Sequence, residues 1–543
     1  MTSHFSRRTL LYSGAAAAGA AALAACTGKS SGSSSSPGGS SSGSGSTKKG
    51  DVTTPLKRPA SIQESPSLKG KGLPPVTDRI PKNPYVVPHR WVGPGKYGGV
   101  LHTDIFGTTG AANASFIAEF FYGYSLLRYI NDGLGVGPGL AERWSSNAAM
   151  TEWTLYFREG TKWSDGEPFT VDDILFWWED MVIPGHDAQV PPPSNVSSSG
   201  KLVTMTKIND ITLRFSWDTP NTLFPEQLAV FANGGIGTNG PGWVLPKHYL
   251  KQFHPKYNPK LPNDWDTPGG LWEQKADWKR NPDCPTLIGY KCKTFDNNTG
   301  IVVERNPYYY AVNTNGDQLP YIDEIDFRLQ TNRETIKLQI EQGSTDFLQT
   351  GITLADVSTL APSKDKGNYD IIYWNSGSGT GSMFFFNYDY VAKDPQYGKL
   401  IRDKRLIQAV SHGWDRKETQ KTLYFGTGQI TTGTIGPATS EFHANPDGPK
   451  IYQQWRDSYS TLDRAKAKAL LAEMGLKDTN GDGYVEFPDG SPLIIEVPYS
   501  ADIAPTEAAK DDQLVADMKK MACTSTGCRC HRPPSPTSGP PVS

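Results

Sequence analysis

An excess of charge of either sign is missing from these 543 residues: 54 Lys and Arg stand against 56 Asp and Glu, a net of −2. So balanced a chain builds no basic field for a polyanion, and no nucleic acid is expected as a partner. Long hydrophobic runs are missing too. Leu10 to Ala25 is apolar and small, but it falls short of the ~20 residues that span a bilayer. Cysteine is sparse, at positions 26, 284, 292, 523, 528 and 530. Outside a Ser/Gly-rich stretch near the start there is no G-x-S-x-G, and there is no H-E-x-x-H or Gly-rich nucleotide loop. The usual signatures of a serine hydrolase, a zinc protease and a nucleotide enzyme are therefore absent.

What is there begins with "SRRTLLYSGAAAAGAAALAAC". Arg7 and Arg8 make a charged start, the apolar stretch follows, and Leu23-Ala24-Ala25-Cys26 closes it. The whole resembles a bacterial lipoprotein signal whose twin arginines fit the Tat route. Residues 1–25 are then expected to be removed and Cys26 to carry lipid, on the outer face of the cytoplasmic membrane. Ser30 to Ser46 holds only Ser, Gly and Pro; such a stretch cannot bury apolar surface and behaves as a coil of roughly 20 to 25 Å mean span. Scattered prolines and little periodicity continue to residue 90. Residues 26–90 thus read as a disordered tether, with the globular part starting near Trp91.

Outside the cytoplasm, Cys284 and Cys292 in "CPTLIGYKC" are close enough to close a small disulfide loop; the alternative is two unpaired thiols. Cys523, Cys528 and Cys530 stand beside His531 in a Pro/Ser-rich tail without paired ligand spacing, so no metal is assigned to them.

Residues 159–181, "EGTKWSDGEPFTVDDILFWWEDM", crowd acids and tryptophans together. A glycosidase would show such a mixture, one carboxyl as acid and one as base beside a sugar-stacking ring. Each residue also has a local mechanical use. "EWTLYFREG" alternates, with Trp153, Leu155 and Phe157 on one face and Thr154, Tyr156 and Arg158 on the other, a half-buried strand. Ser164-Asp165-Gly166 suits a turn. Thr170 can cap a helix whose first turn holds Asp172 and Asp173. Ile174, Trp177, Trp178 and Met181 recur at helical spacing as a core stripe. The structural reading is preferred.

The stretch "GLAERWSSNAAMTEWTLYFREGTKWSDGEPFTVDDILFWWEDM" resembles the signature region of the family 5 extracytoplasmic solute-binding proteins. That group includes oligopeptide, dipeptide and nickel binders of ABC importers. Further blocks agree in order: "VLPKHYL" at 244, "VVERNPYYY" at 302, "GDQLPYIDEI" at 316, "DKRLIQAVSHGWDRKE" at 403, and "LDRAKAKALLAEMGLKDTNGDGYVEFPDGSPLIIEVP" at 462. The likeness runs from about residue 97 to 521. It departs at Ile407, where members usually carry a second arginine, and after Met521, where members continue with a Gly-led strand. "ACTSTGCRCHRPPSPTSGPPVS" follows here and reads as out-of-frame or truncated sequence. Asp478, Asn480, Asp482 and Gly483 match half an EF-hand loop, with Asp489 at the bidentate position, but the strand-like "SPLIIEVP" stands where the exiting helix should be. A structural turn is preferred there.

The resemblance implies an α/β, two-lobed periplasmic-binding-protein-like fold with a ligand cleft and a hinge. Its partners would be the membrane permease subunits of an ABC importer and a small solute, and the protein a monomer without cofactor or catalytic residues. It places a first lobe at 91–327 and a partial second lobe at 328–521. Residues 522–543 would be a disordered tail that leaves the second lobe and the return to the first incomplete. In similar proteins, ligand meets the end of the first strand, here Phe106, Thr108 and Thr109, and segments near the hinge, here Trp374 and Asn387. A plain strand-to-loop turn and a core tryptophan are the alternatives. The aspartate that pairs with a peptide amine in such proteins lies beyond Met521 and has no counterpart. Peptide is the expected ligand, being the family's commonest. Oligosaccharide is the alternative, with 14 Trp and 24 Tyr as stacking platforms. A Tat-exported lipoprotein hydrolase is the reading from another class.

Overall fold

Strand alternation and helix capping build the first half of the molecule. The computed structural model describes residues 56–530 except 88–93, 108–124, 131–134, 184–196, 199–200, 230–243, 263–268, 350, 374–383, 390–393, 444 and 501–504. Cys26, the signal segment and Ser30 to Ser46 lie outside the described residues. Along the chain come β1 (Val100–Phe106), β2 (Ala141–Ser146), β3 (Glu152–Phe157), α1 (Val171–Trp177), β4 (Thr204–Asn209), β5 (Thr212–Ser216) and α2 (Lys247–Leu250). Then follow β6 (Tyr290–Asp296), β7 (Gly300–Arg305), β8 (Glu324–Gln330) and α3 (Arg333–Glu341). Last come α4 (Lys404–Gly413), α5 (Arg416–Leu423), α6 (Arg464–Glu473), β9 (Ile494–Ser500), α7 (Pro505–Lys520) and β10 (Thr524–Cys530).

Two four-stranded sheets form in order β2-β3-β5-β4, wholly antiparallel, and β6-β7-β8-β1, in which β8 and β1 run parallel. Trp153, Leu155 and Phe157 of β3 face a core that reaches from Tyr85 to Phe327. A second core, from Leu400 to Cys523, gathers Leu406 and Ala409 of α4, Ala467 and Leu471 of α6, and Leu514 and Met518 of α7. Ile336 and Ile340 of α3 form a small third cluster with Leu360. No described helix is long and apolar enough to cross a membrane.

Three expectations are corrected by the structure. The tether does not run to residue 90, because residues 56–87 are pinned to the 305–323 region. Leu68 and Ile80 are buried, and Arg79 donates to the Pro307 carbonyl and pairs with Glu64. Ser65 and Ser67 both donate to Asp323. These anchors sit on one-turn helices and a two-residue strand, Tyr85–Val86 against Ala311–Val312, elements too short to leave a periodicity to read. Second, residues 522–530 are not a disordered tail: β10 pairs in parallel with β9 over seven residues, and the Ser525 hydroxyl donates to the Val515 carbonyl at 2.8 Å. Third, Arg158 does not face solvent. Its Nε donates to Gly139 O and its Nη1 to Asn83 O, backbone acceptors that offset part of the cost of burying a guanidinium.

Candidate ligand-binding site

The acid and tryptophan run is joined by hydrogen bonds into one structural knot. Asp165 caps its own turn by accepting from the Glu167 amide at 3.1 Å, and Gly166 takes a φ of +96°. Thr170 accepts from the Asp172 amide while Asp173 accepts from the Thr170 amide, which closes a capping box on α1. The other demands on Asp173 come from afar: the Trp163 indole donates at 3.1 Å and the Lys247 amide at 3.0 Å. The block at 244 thereby starts α2 against the signature turn. Burial pushes the Asp173 carboxyl up to about 6, against these three donors. Burial also raises Asp165, but His248 at 2.8 Å and the Glu167 amide outweigh it and hold that carboxyl below its ordinary value. A general acid must reach its substrate; Asp173 is buried, so that carboxyl serves the turn.

At the carboxyl edge of the second sheet the arrangement is different. Phe106 ends β1 opposite Gln330, the last residue of β8. Beneath them Asp104, fully buried, accepts from Arg328 Nη2 at 2.9 Å, Thr345 Oγ1 at 2.6 Å and Gln330 Nε2 at 3.1 Å. His102 extends the edge by pairing its amide and ring nitrogen with Asp346. Three neighbouring residues of β1, Thr103 to Ile105, are buried. That loss of alternation marks a strand covered on both faces, and a carboxylate inside it was the sequence signal for this network. Phe106 packs partly buried against the Ile336 cluster, beneath the guanidinium of Arg333. Thr108, Thr109 and Trp374 lie outside the described residues. Asn387 is exposed, its side-chain oxygen accepting from the Asp389 amide. Phe385 at 82% exposure and Tyr388 at 50% flank it along the chain, and Tyr373 is likewise exposed, at 61%. The structure thus joins Phe106 to Arg333 and sets the Asp104 network two residues before it on the same strand; the sequence reading passed over both.

The Cys284–Cys292 bridge is not formed. Both thiols are free and buried, Cys284 with its sulfur toward the Ala276 and Pro285 carbonyls and Cys292 inside β6 opposite Val303. Both side chains belong to the large core, and burial raises both thiols above their usual range. In the loop at 478, Asp489 does not join the other acids but caps Ser491; Glu486 takes its place, within 4.8 Å of Asp478 and Asp482. Asp478 accepts from the Gly481 and Gly483 amides and Glu486 from Thr479, so the loop is held by its own donors.

With this geometry in view, the relatives fall into one group. A family profile described as bacterial extracellular solute-binding proteins, family 5 Middle, matches residues 135–515. The periplasmic alpha-galactoside-binding protein of Rhizobium meliloti (strain 1021) is 30% identical over 475 residues, covering 80% of this chain and 63% of that protein. The oligopeptide-binding protein AppA of Bacillus subtilis (strain 168) is 22% identical, over 67% of this chain and 56% of its own length. This chain therefore spans about three fifths of the length of these relatives. Among solved structures, an oligopeptide-binding protein OppA superposes with a TM-score of 0.65 at 27% identity, covering 88% of this chain and 73% of that one. The periplasmic binding protein MelB of Agrobacterium fabrum C58, solved with stachyose, gives 0.61 at 24%, over 88% and 72%, and speaks for the fold. These neighbours share the two-lobed α/β architecture, and the chain belongs to the bacterial extracellular solute-binding proteins of family 5.

Proposed function

We propose that this protein captures an oligosaccharide of the α-galactoside class outside the cytoplasm and presents it to the permease of an ABC importer by closing two lobes over it. The supporting observation is the 30% identity over 475 residues to a periplasmic alpha-galactoside-binding protein. The exposed aromatics at 373, 385 and 388 are chemically suited to it, since flat apolar rings carry sugar faces. In this reading the first lobe runs to about residue 327 and takes in the pinned residues 56–87, the second runs from 328 through β10, the contacts include Phe106, Thr108, Thr109, Trp374 and Asn387, and the protein is a monomer that makes and breaks no bond. Oligopeptide, expected from the sequence, is the second reading. It is favoured by the 27% identical oligopeptide-binding structure.

Isothermal titration of the full chain with raffinose, an α-galactosyl sucrose, and separately with tri-alanine decides between them. Heat of binding with raffinose alone is expected; binding of tri-alanine alone would reject the sugar reading. The proposal includes a lipid on Cys26 that holds the protein at the membrane. Cys26→Ala should move it to the soluble fraction, and a variant that stays membrane-bound after a salt wash would refute the anchor.

A further inference from the structure

We propose that Arg333 is a ligand-recognising residue, its guanidinium donating to two adjacent hydroxyls of a sugar ring from a fixed seat on Phe106. This deepens the oligosaccharide reading and rests on it. Strands β1 and β8 are parallel and end together, Phe106 opposite Gln330, at the edge where open α/β sheets take their ligands. Arg333 opens α3 three residues further on, and its Cζ stands 4.6 Å from the Phe106 ring centroid, within cation–π range. The ring is itself seated, packed against the Ile336, Ile340 and Leu360 cluster. The backbone of Gly351 also passes close to it: a Cβ there would meet Phe106 Cβ at 3.8 Å and Ile336 at 3.2 Å.

Among the described residues no acceptor takes up the guanidinium's donors. Arg333 is exposed and forms no ion pair or hydrogen bond with any described residue. The nearby acids are engaged by other cations: Lys337 takes Glu334 at 2.6 Å and Asp356 at 3.3 Å, and Arg328 takes Asp104 at 2.9 Å. A planar fork resting over a ring loses little freedom when it meets two oxygens set side by side, as vicinal hydroxyls are. A lysine at the same place would offer a point charge on a mobile stem.

The test is titration of raffinose into the full chain and its Arg333→Ala and Arg333→Lys variants, with ligand-free melting measured alongside. Arg333→Ala should weaken binding by about ten- to a hundredfold, as loss of charged hydrogen bonds does. Arg333→Lys should recover only a minor part. Both variants should melt within about 2 °C of wild type, since an exposed side chain with no protein acceptor contributes little to stability. Unchanged raffinose affinity in Arg333→Ala overturns the assignment and leaves the oligosaccharide reading standing. Full recovery by lysine, or weaker binding accompanied by a large fall in melting temperature, also overturns it. A wild-type chain that ignores raffinose overturns both.

Discussion

Asp173 shows how a single side chain serves four segments and what that costs. Three donors stabilise its ionised form, but removal from water opposes it more strongly, and the carboxyl titrates at about 6 in place of its ordinary 3.8. The sign follows from that order. The folded state holds the proton more tightly than the unfolded chain, so this residue's favourable contribution is complete below about 3.8 and is lost as pH rises through about 6. Roughly 3 kcal/mol is at stake for a shift of about two units. Asp173→Asn removes the titration but sets an amide against the Lys247 or Trp163 N–H, so it should destabilise at every pH. Compared by denaturant melts at pH 4 and pH 8, the gap between wild type and variant should be smaller at pH 8, because wild type alone has lost stability. A gap that widens with pH would mean that the three donors outweigh burial.

Among the elements, legibility followed the range of the interactions. The strand at 152–157 and the helix from Val171 were readable because pleat, turn and cap act within a few residues; Thr170 and Asp173 write their capping box into the sequence. Helix α7 buries Leu514 and Met518, with Met521 just after its end, by the same local spacing. What binds that helix to its neighbours was not readable. Asp517 is fully buried and accepts from the Asp415 amide, Arg464, Gln513 and Lys520, partners that reach a hundred residues back along the chain. Burial raises its carboxyl, yet these donors prevail and hold it below the ordinary value. Strand β10 was misread because Thr, Ser and Cys carry little apolar signal; its place comes from parallel pairing with β9 and from Cys523 beneath it. At the candidate site the sequence pointed to Phe106 by family likeness. It was silent about Arg333, whose role depends on two parallel strands ending at one level.

For the whole molecule the decisive fact is that the large core from Tyr85 to Phe327 and the smaller one from Leu400 to Cys523 share no residue. The smaller core holds one buried phenylalanine, Phe487, whereas the larger is packed with tryptophan, phenylalanine and tyrosine, which bury the most apolar area per residue. The smaller core should therefore yield first on heating, and scanning calorimetry of the ligand-free chain should show two transitions. Met518→Ala, a deletion of a buried side chain worth about 2 to 5 kcal/mol, should lower the first transition and leave the second in place. Leu155→Ala should do the reverse. A solute gripped by both lobes binds only when both are folded, so it stabilises the weaker one by mass action and should draw the two transitions together as its concentration rises. If a single ligand-free transition moved equally with either substitution, the two cores would be unfolding as one unit. Ligand closure would then have to be sought in a hinge within that unit rather than in the approach of two independently stable bodies.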